Sequence, residues 1–194
     1  MKIGILGGTF DPPHLGHLIV AEHVRDRLGM NKILFIPAVV PPHKRQRPDI
    51  TPPGMRLEMV RRAIAGNPAF DVSDIEIRRG GLSYTADTLK ELRTQYPTEV
   101  LSILIGMDNV RDFNTWKDPE LIKRIAHIVV MTRPGFQTES GPLEDVKTLT
   151  ICEVPEIGIS SREIRNRVKL GQSVRYLVPA TVLDYILEHR LYRG

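Results

Sequence analysis

GGTFDPPHLGHL, residues 7–18, runs a glycine turn through two prolines into a pair of histidines. Upstream of it, KIGILG is a short apolar run of the kind expected for a buried parallel strand. Downstream, Leu18, Ala21, Val24 and Leu28 recur at helical spacing, and Gly29 offers a helix stop. The turn therefore stands between a strand and a helix, where backbone amides point outward and the positive end of the helix dipole favours anions. That position predicts a phosphate site, and with it a nucleotide.

The same alternation continues along the chain. KILFIP at 32–37 is a second candidate strand, and the proline-rich AVVPPHKRQRPDITPP after it predicts a long loop. A helix is predicted over 54–66, with Met55, Met59, Arg62 and Ala63 at helical intervals, and FDVSDIEIRR at 70–79 alternates as a strand would. TADTLKELRTQY predicts a helix starting near Thr85, with Leu89 and Leu92 on one face. VLSILIGMD at 100–108 is the most strongly apolar run and is predicted as a central strand. DPELIKRIAHIVVMTRPG reads as a short helix and a strand ending at Pro134 and Gly135; LTICEV is a further strand, and the remainder is helical. This order predicts an α/β fold, a Rossmann-like doubly wound and mainly parallel sheet with helices on both faces. Ligands in such sheets bind beyond the carboxyl ends of the strands. GGTFDPPH, PAVVPPHK and GMDN each follow a predicted strand, so they can converge on one crevice.

Bulk properties set the frame. The 194 residues, 41% hydrophobic and 26% charged, fit one globular domain spanning 1–194. No apolar run approaches the roughly 18 residues of a membrane span, and the amino terminus lacks the pattern of a signal peptide. The lone Cys152 rules out an internal disulfide framework, so a cytoplasmic location is expected. A formal charge of +4 does not by itself call for nucleic acid, although basic residues gather at 43–47, at 162–169 and at the carboxyl end. Solvated loops and helix faces explain such clusters as well as a site for several phosphates does.

GILGGTF lacks the G-x-G-x-x-G spacing of dinucleotide dehydrogenases, and no G-x-x-x-x-G-K-[ST] loop occurs. The turn carries instead His14 and His17, spaced i, i+3. No third ligand accompanies them in a recognisable zinc pattern, so no metal site is expected. A lone histidine is usually structural. Two at a helix head beside glycines favour anion contact, because imidazolium can donate from both nitrogens. Ser160 and Glu163 fit an S-x-x-E capping box, which alone explains both residues. Ser161 and Arg165 then fall i, i+4 on one face, where they can meet further phosphates. Trp116 can fill the core or stack on a ring, Thr85 can cap a helix, and Asp108 can cap a helix or accept from a ribose hydroxyl. Lys44, in a proline-rich loop, reads as solvated.

GGTFDPPHLGH resembles the signature of the nucleotidyltransferase superfamily. Seven further segments in order, namely PPHK at 41–44, YTADTL at 84–89, IGMDN at 105–109, Trp116 with Lys117, RPG at 133–135, ISSREIR at 159–165 and YLVP at 176–179, narrow it. Together they resemble the nicotinate mononucleotide adenylyltransferases of the bacterial type, over most of the chain. The resemblance implies an enzyme of NAD biosynthesis in which the 5'-phosphate of nicotinate mononucleotide attacks the α-phosphorus of ATP in line, giving the dinucleotide and pyrophosphate. It implies His17, His14 and Arg165 as catalytic residues. ATP would be bound by Gly7, Gly8, Thr9, Phe10, His14, His17, Gly106, Asp108, Ile159, Ser160, Ser161 and Arg165. The acceptor side would use Lys44, Tyr84, Thr85, Trp116, Lys117 and Arg133. Mg2+ would be carried with ATP, without a dedicated protein cage. ATP and nicotinate mononucleotide are the expected partners, with no nucleic acid and no membrane, and a homodimer stays open. Two departures stand out: Arg162 replaces the threonine of Ser-Ser-Thr, and Met107 replaces the small residue of Gly-Ala-Asp. Two alternatives are kept, an adenylyltransferase for phosphopantetheine or nicotinamide mononucleotide, and a basic nucleic-acid binding module.

Overall fold

In a computed structural model, residues 1–40, 49–133 and 149–193 are described. Six strands make one sheet: β1 (Lys2–Gly8), β2 (Lys32–Pro37), β3 (Phe70–Val72), β4 (Val100–Gly106), β5 (His127–Thr132) and β6 (Leu149–Glu153). Their spatial order is β3-β2-β1-β4-β5-β6, and every neighbouring pair is parallel. The order reverses direction between β1 and β4, which is the switch point where a doubly wound sheet opens a crevice.

The period of two along the strands sorts their side chains into two cores. Ile3 and Ile5, Leu34 and Ile36, and Leu101, Ile103 and Ile105 face one side, under α3 (Ile75–Arg79), α4 (Thr85–Gln95) and α6 (Pro119–Ile125). Leu6, Ile33, Phe35, Leu104 and Val129 face the other, under α1 (Leu15–Arg27) and α2 (Pro53–Ile64). Gly4 belongs to this second face, and a Cβ there would sit 2.6 Å from Ile33 and 2.7 Å from the sulfur of Met30. A short α5 (Met107–Arg111) follows β4 directly. Near the carboxyl end, α7 (Ser161–Lys169) and α8 (Ala180–Glu188) bury Ile164, Val182 and Ile186 against Met59 of α2, a third apolar cluster.

The segment FDVSDIEIRR departs from the expected strand. Only Phe70–Val72 pair, at the sheet edge, and Ile75–Arg79 are helical. Ser73 Oγ accepts the Ile75 amide, and Thr88 Oγ1 of α4 donates to the buried Glu76 carboxylate at 2.6 Å. The edge strand has one neighbour to hold it, whereas the helix gains a buried polar partner. In α2 the buried residues are Arg56, Leu57, Met59, Val60 and Ile64. Arg62 lies off the core, with its guanidinium over the Tyr185 ring at 4.6 Å.

Candidate active site

The turn after β1 is built around Phe10, whose φ of +50° is rare for a residue with a side chain. Its ring is buried, meets His17 edge-on at 5.0 Å and lies 5.8 Å from Phe35. Gly8 makes room for it, since a Cβ there would come within 2.9 Å of the ring. Gly7 has open space beside it.

His14 occupies the N-cap position of α1, and its rings stack with His17 at 3.7 Å. The amide of His14 donates to His17 Nδ1 at 3.1 Å. An accepting Nδ1 leaves the neutral tautomer with its proton on Nε2, one fixed donor for a phosphate oxygen. Burial pushes the His17 pKa down to about 3, with repulsion from His14 adding to it, and burial pushes His14 down to about 4. The expected pair of doubly donating imidazolium rings is therefore not what these buried surroundings favour. Both rings are neutral at pH 7. His14 Nδ1 is a buried nitrogen with no hydrogen-bond partner among the described residues. A Cβ on Gly16 would stand 3.0 Å from it, so the glycine lets this ring lie flat on the helix.

The ISSREIR segment docks on the same turn. Ser160 caps α7 by accepting the Glu163 amide at 3.2 Å, the half of the capping box that the expectation required of the serine. Ser161 Oγ donates to the Pro12 carbonyl at 2.8 Å, and Arg165 Nη1 donates to the Asp11 carbonyl at 2.7 Å. Both side chains thus bind the glycine turn itself. Ile159 is partly buried and Arg162 is exposed. The YLVP segment meets the turn as well, with the Leu15 amide donating to the Leu177 carbonyl at 3.0 Å.

On the other side of the crevice, Gly106 precedes α5 and Asp108 is exposed in its first turn. Thr85 is the first residue of α4, whose N-cap is Tyr84, and the Tyr84 side chain makes no capping hydrogen bond. Lys117 Nζ donates to both Asp87 carboxylate oxygens, at 3.0 and 2.7 Å, and lies 4.8 Å from the Tyr84 ring centre. These contacts bring Tyr84, Thr85, Trp116 and Lys117 together. Trp116 is partly buried, 5.3 Å from Phe113. Arg133 pairs instead with Glu156 at 3.0 Å, in the segment that leads into α7. Lys44 and the HKRQR cluster lie outside the described residues.

One residue that the pattern of the sequence did not single out joins the two sides. Arg56, fully buried, donates to the carbonyls of Thr51 (2.7 Å), Thr9 (2.7 Å) and Val39 (3.1 Å). Its signal was its phase, because it falls on the apolar stripe of α2 with Met59, Val60 and Ile64. Burial pulls its pKa below the ordinary arginine value, and the Asp11 carboxylate opposes that pull. Val39 in turn donates to Ser83 Oγ at 2.8 Å, and Ser83 donates to the Val40 carbonyl at 3.1 Å. Hydrogen bonds therefore run from the glycine turn through Arg56 to the head of α4. A groove of about 660 Å³ lined by Leu18, His23, Ile64 and Phe70 shares none of these site residues. Among the described residues, no group of three His, Cys, Asp or Glu is placed to hold a metal ion.

A sequence profile of the cytidylyltransferase-like family matches residues 5–167. A Thermus thermophilus protein called "Probable nicotinate-nucleotide adenylyltransferase" is 46% identical over 193 residues, covering 100% of both chains. A Desulfitobacterium hafniense protein of the same name is 44% identical over 203 residues, covering 99% of this chain and 96% of its own. Among solved structures, the Plasmodium falciparum nicotinic acid mononucleotide adenylyltransferase complexed with NaAD superposes with a TM-score of 0.80 at 20% identity. The superposition covers 98% of this chain and 97% of that one, a likeness of fold.

Proposed function

The chain belongs to the cytidylyltransferase-like family, and from that premise we propose that it transfers the adenylyl group of ATP to nicotinate mononucleotide, a step of NAD biosynthesis. The observation that carries this reading is the joining of two helix heads, those of α1 and α7, at the switch point. The His14 to His17 turn and the head of α7 are bound to each other through Ser161 and Arg165. Full-length relatives named for this activity support the choice of acceptor.

The acceptor's phosphate is already a nucleophile, so no side chain needs to take a proton. Alignment of the two phosphates supplies much of the rate, an effect worth roughly 7–11 kcal/mol in favourable cases. His17 Nε2–H donates to the α-phosphate as charge moves onto it, and His14 Nδ1, which has no partner among the described residues, stands beside it. A neutral donor suits this role because it costs no proton uptake. Arg165 keeps Nε and Nη2 for the β- and γ-phosphates while Nη1 holds the turn. Gly7, Gly8, Thr9 and Phe10 shape the backbone around the nucleotide, and Ile159 and Ser160 continue it on the α7 side. Gly106 and Asp108 face the ribose. ATP enters as its magnesium complex, the ion remaining with the substrate's phosphates and waters.

For the acceptor, Trp116 stacks on the pyridine ring and the amides at the head of α4, from Tyr84 and Thr85, meet its carboxylate. An anion at a helix head explains a preference for the acid over nicotinamide mononucleotide. Lys117 acts by binding Asp87 and holding the Trp116 segment to α4. Lys44 is the proposed phosphate ligand on this side, and Arg133 belongs to the same acceptor side. The enzyme works in the cytoplasm.

The test is direct. The protein is incubated with magnesium, ATP and each candidate acceptor, and pyrophosphate is followed. Release with nicotinate mononucleotide above that with the amide or phosphopantetheine is expected. No release with nicotinate mononucleotide overturns the proposal.

A further inference from the structure

We infer that Asp11 and Tyr192 form a strut through which the carboxyl-terminal end of the chain sets the guanidinium of Arg165, so that ATP affinity depends on residue 192. The inference rests on the reading that Arg165 meets the phosphates of ATP. Asp11 is 3% exposed and sits where four segments meet. Its Oδ1 accepts from the Tyr192 hydroxyl at 2.8 Å, and Oδ2 accepts from the Thr51 amide at 3.4 Å. Arg165 Nη1 donates to its carbonyl at 2.7 Å and stands 4.0 Å from Oδ2. A carboxylate held at both oxygens gives the guanidinium one place to rest. Without the Tyr192 bond, one oxygen loses its buried donor, and the carboxylate can turn toward Arg165 or toward Arg56 instead.

The backbone supports this role for a residue so near the chain end. Beyond α8 the chain folds back through Arg190 at φ +51° and Tyr192 at φ +63°, conformations rare for residues with side chains. Leu191 donates to the Ile186 carbonyl at 3.0 Å, and Tyr192 packs with the cluster of Met59, Ile164 and Ile186. Two uncommon backbone conformations are thus accepted to bring one hydroxyl to Asp11, the pattern seen where geometry serves a site. Burial, and the Asp11 charge beside it, raise the Tyr192 pKa, so the phenol stays a donor across the neutral range. The residue is a positioning residue, because it touches Asp11 and not the substrate.

The dissociation constant of magnesium ATP is measured by calorimetry for the wild type, Tyr192→Phe, Arg165→Ala and the double variant, at a temperature where unfolding scans show all four folded. Tyr192→Phe keeps the ring and removes the donor, and is expected to weaken ATP about tenfold, the range for a lost bond to a charged group. In the Arg165→Ala background it should weaken ATP less than about twofold, because its effect passes through that residue. Asp11→Asn, which keeps an oxygen for Tyr192 and removes the charge facing Arg165, should behave likewise. The KM for nicotinate mononucleotide should stay the same. ATP affinity within about twofold of wild type in Tyr192→Phe, or an equal loss with and without Arg165, overturns the strut. Wild-type protein that binds ATP but transfers nothing to nicotinate mononucleotide overturns the acceptor reading alone, and the four affinities still decide the strut. Failure of the wild type to bind ATP overturns both.

Discussion

His17 has two separable jobs, and two substitutions divide them. His17→Asn keeps an oxygen near the place of Nδ1, able to accept the His14 amide that now lies 3.1 Å away, and leaves nothing at Nε2. Its stability should differ from wild type by less than about 1 kcal/mol, the worth of a capping bond. Its turnover should fall about 10²–10³-fold, or about 2.7–4 kcal/mol, as for removal of one fixed donor facing charge that develops in the transition state. His17→Gln does the reverse. Its amide nitrogen reaches toward the Nε2 position, so part of the turnover should return, while the unpaired His14 amide costs about 1 kcal/mol of stability. Protonation gives a second readout. With His14 held near pKa 4 and His17 near 3, both rings are neutral from about pH 6 upward in the free protein. The kcat/KM for ATP reports the free enzyme, so no histidine step near pH 6.5 is expected. Pyrophosphate release across about pH 5.5–8.5, with urea unfolding of each variant alongside, checks both halves. Turnover of His17→Asn within about threefold of wild type would refute the donor assignment. A kcat/KM that climbs as pH falls through 6.5 would show that the cationic ring is the active one.

Three further outcomes follow from the same geometry. Arg56→Met takes the guanidinium donor from the carbonyls of Thr9, Val39 and Thr51, at about 1–3 kcal/mol for each lost bond, offset in part by no longer burying a charge. The net loss should be about 3–5 kcal/mol by urea unfolding, and a loss below about 1 kcal/mol would mean that water reaches those carbonyls. Acid should destabilise the ligand-free protein in a defined window. The unfolded chain protonates His14 and His17 near pH 6.5 whereas the folded chain resists until about 4 and 3. The unfolded state therefore binds more protons, and stability falls with pH by about 1.4 kcal/mol per unit per histidine below 6.5. A His14→Gln, His17→Asn double variant should flatten that slope, and an unchanged slope would place the acid sensitivity elsewhere. Trp116→Ala should raise the KM for nicotinate mononucleotide about tenfold, the loss of one stacking contact, and leave the KM for ATP alone. An equal rise in both would assign Trp116 to the core.

Much of the fold was legible because its signals are local. KILFIP became β2 residue for residue, since a wholly buried parallel strand leaves an unbroken apolar run. Ser160 was placed at a helix start by its spacing from Glu163, and it caps α7. Where two local signals compete, the pattern misleads. FDVSDIEIRR alternates well enough for a strand, yet an edge position offers one partner, and Glu76 finds Thr88 only in a helix. The proposed site was half legible. Of the residues proposed for it, the histidines, Ser161, Arg165 and Trp116 belong to recognisable segments and Arg56 falls in phase with the apolar stripe of α2, whereas Asp11 serves through contacts that no spacing announces.

What the sequence by itself determined is the strand, glycine turn and helix that open the chain, together with the alternation that builds a parallel sheet. Both depend on residues within a few positions of one another. The tertiary structure decided the state and aim of the groups. His17 is neutral because surrounding chain excludes water from it. Arg165 and Tyr192 meet Asp11 across 154 and 181 positions. Arg56 is tolerated without solvent because three carbonyls, one from the turn after β1 and two from the connection between β2 and α2, receive it. Desolvation and hydrogen-bond partners come from whatever the fold brings near, and the glycine turn takes its final form only once distant residues have closed around it.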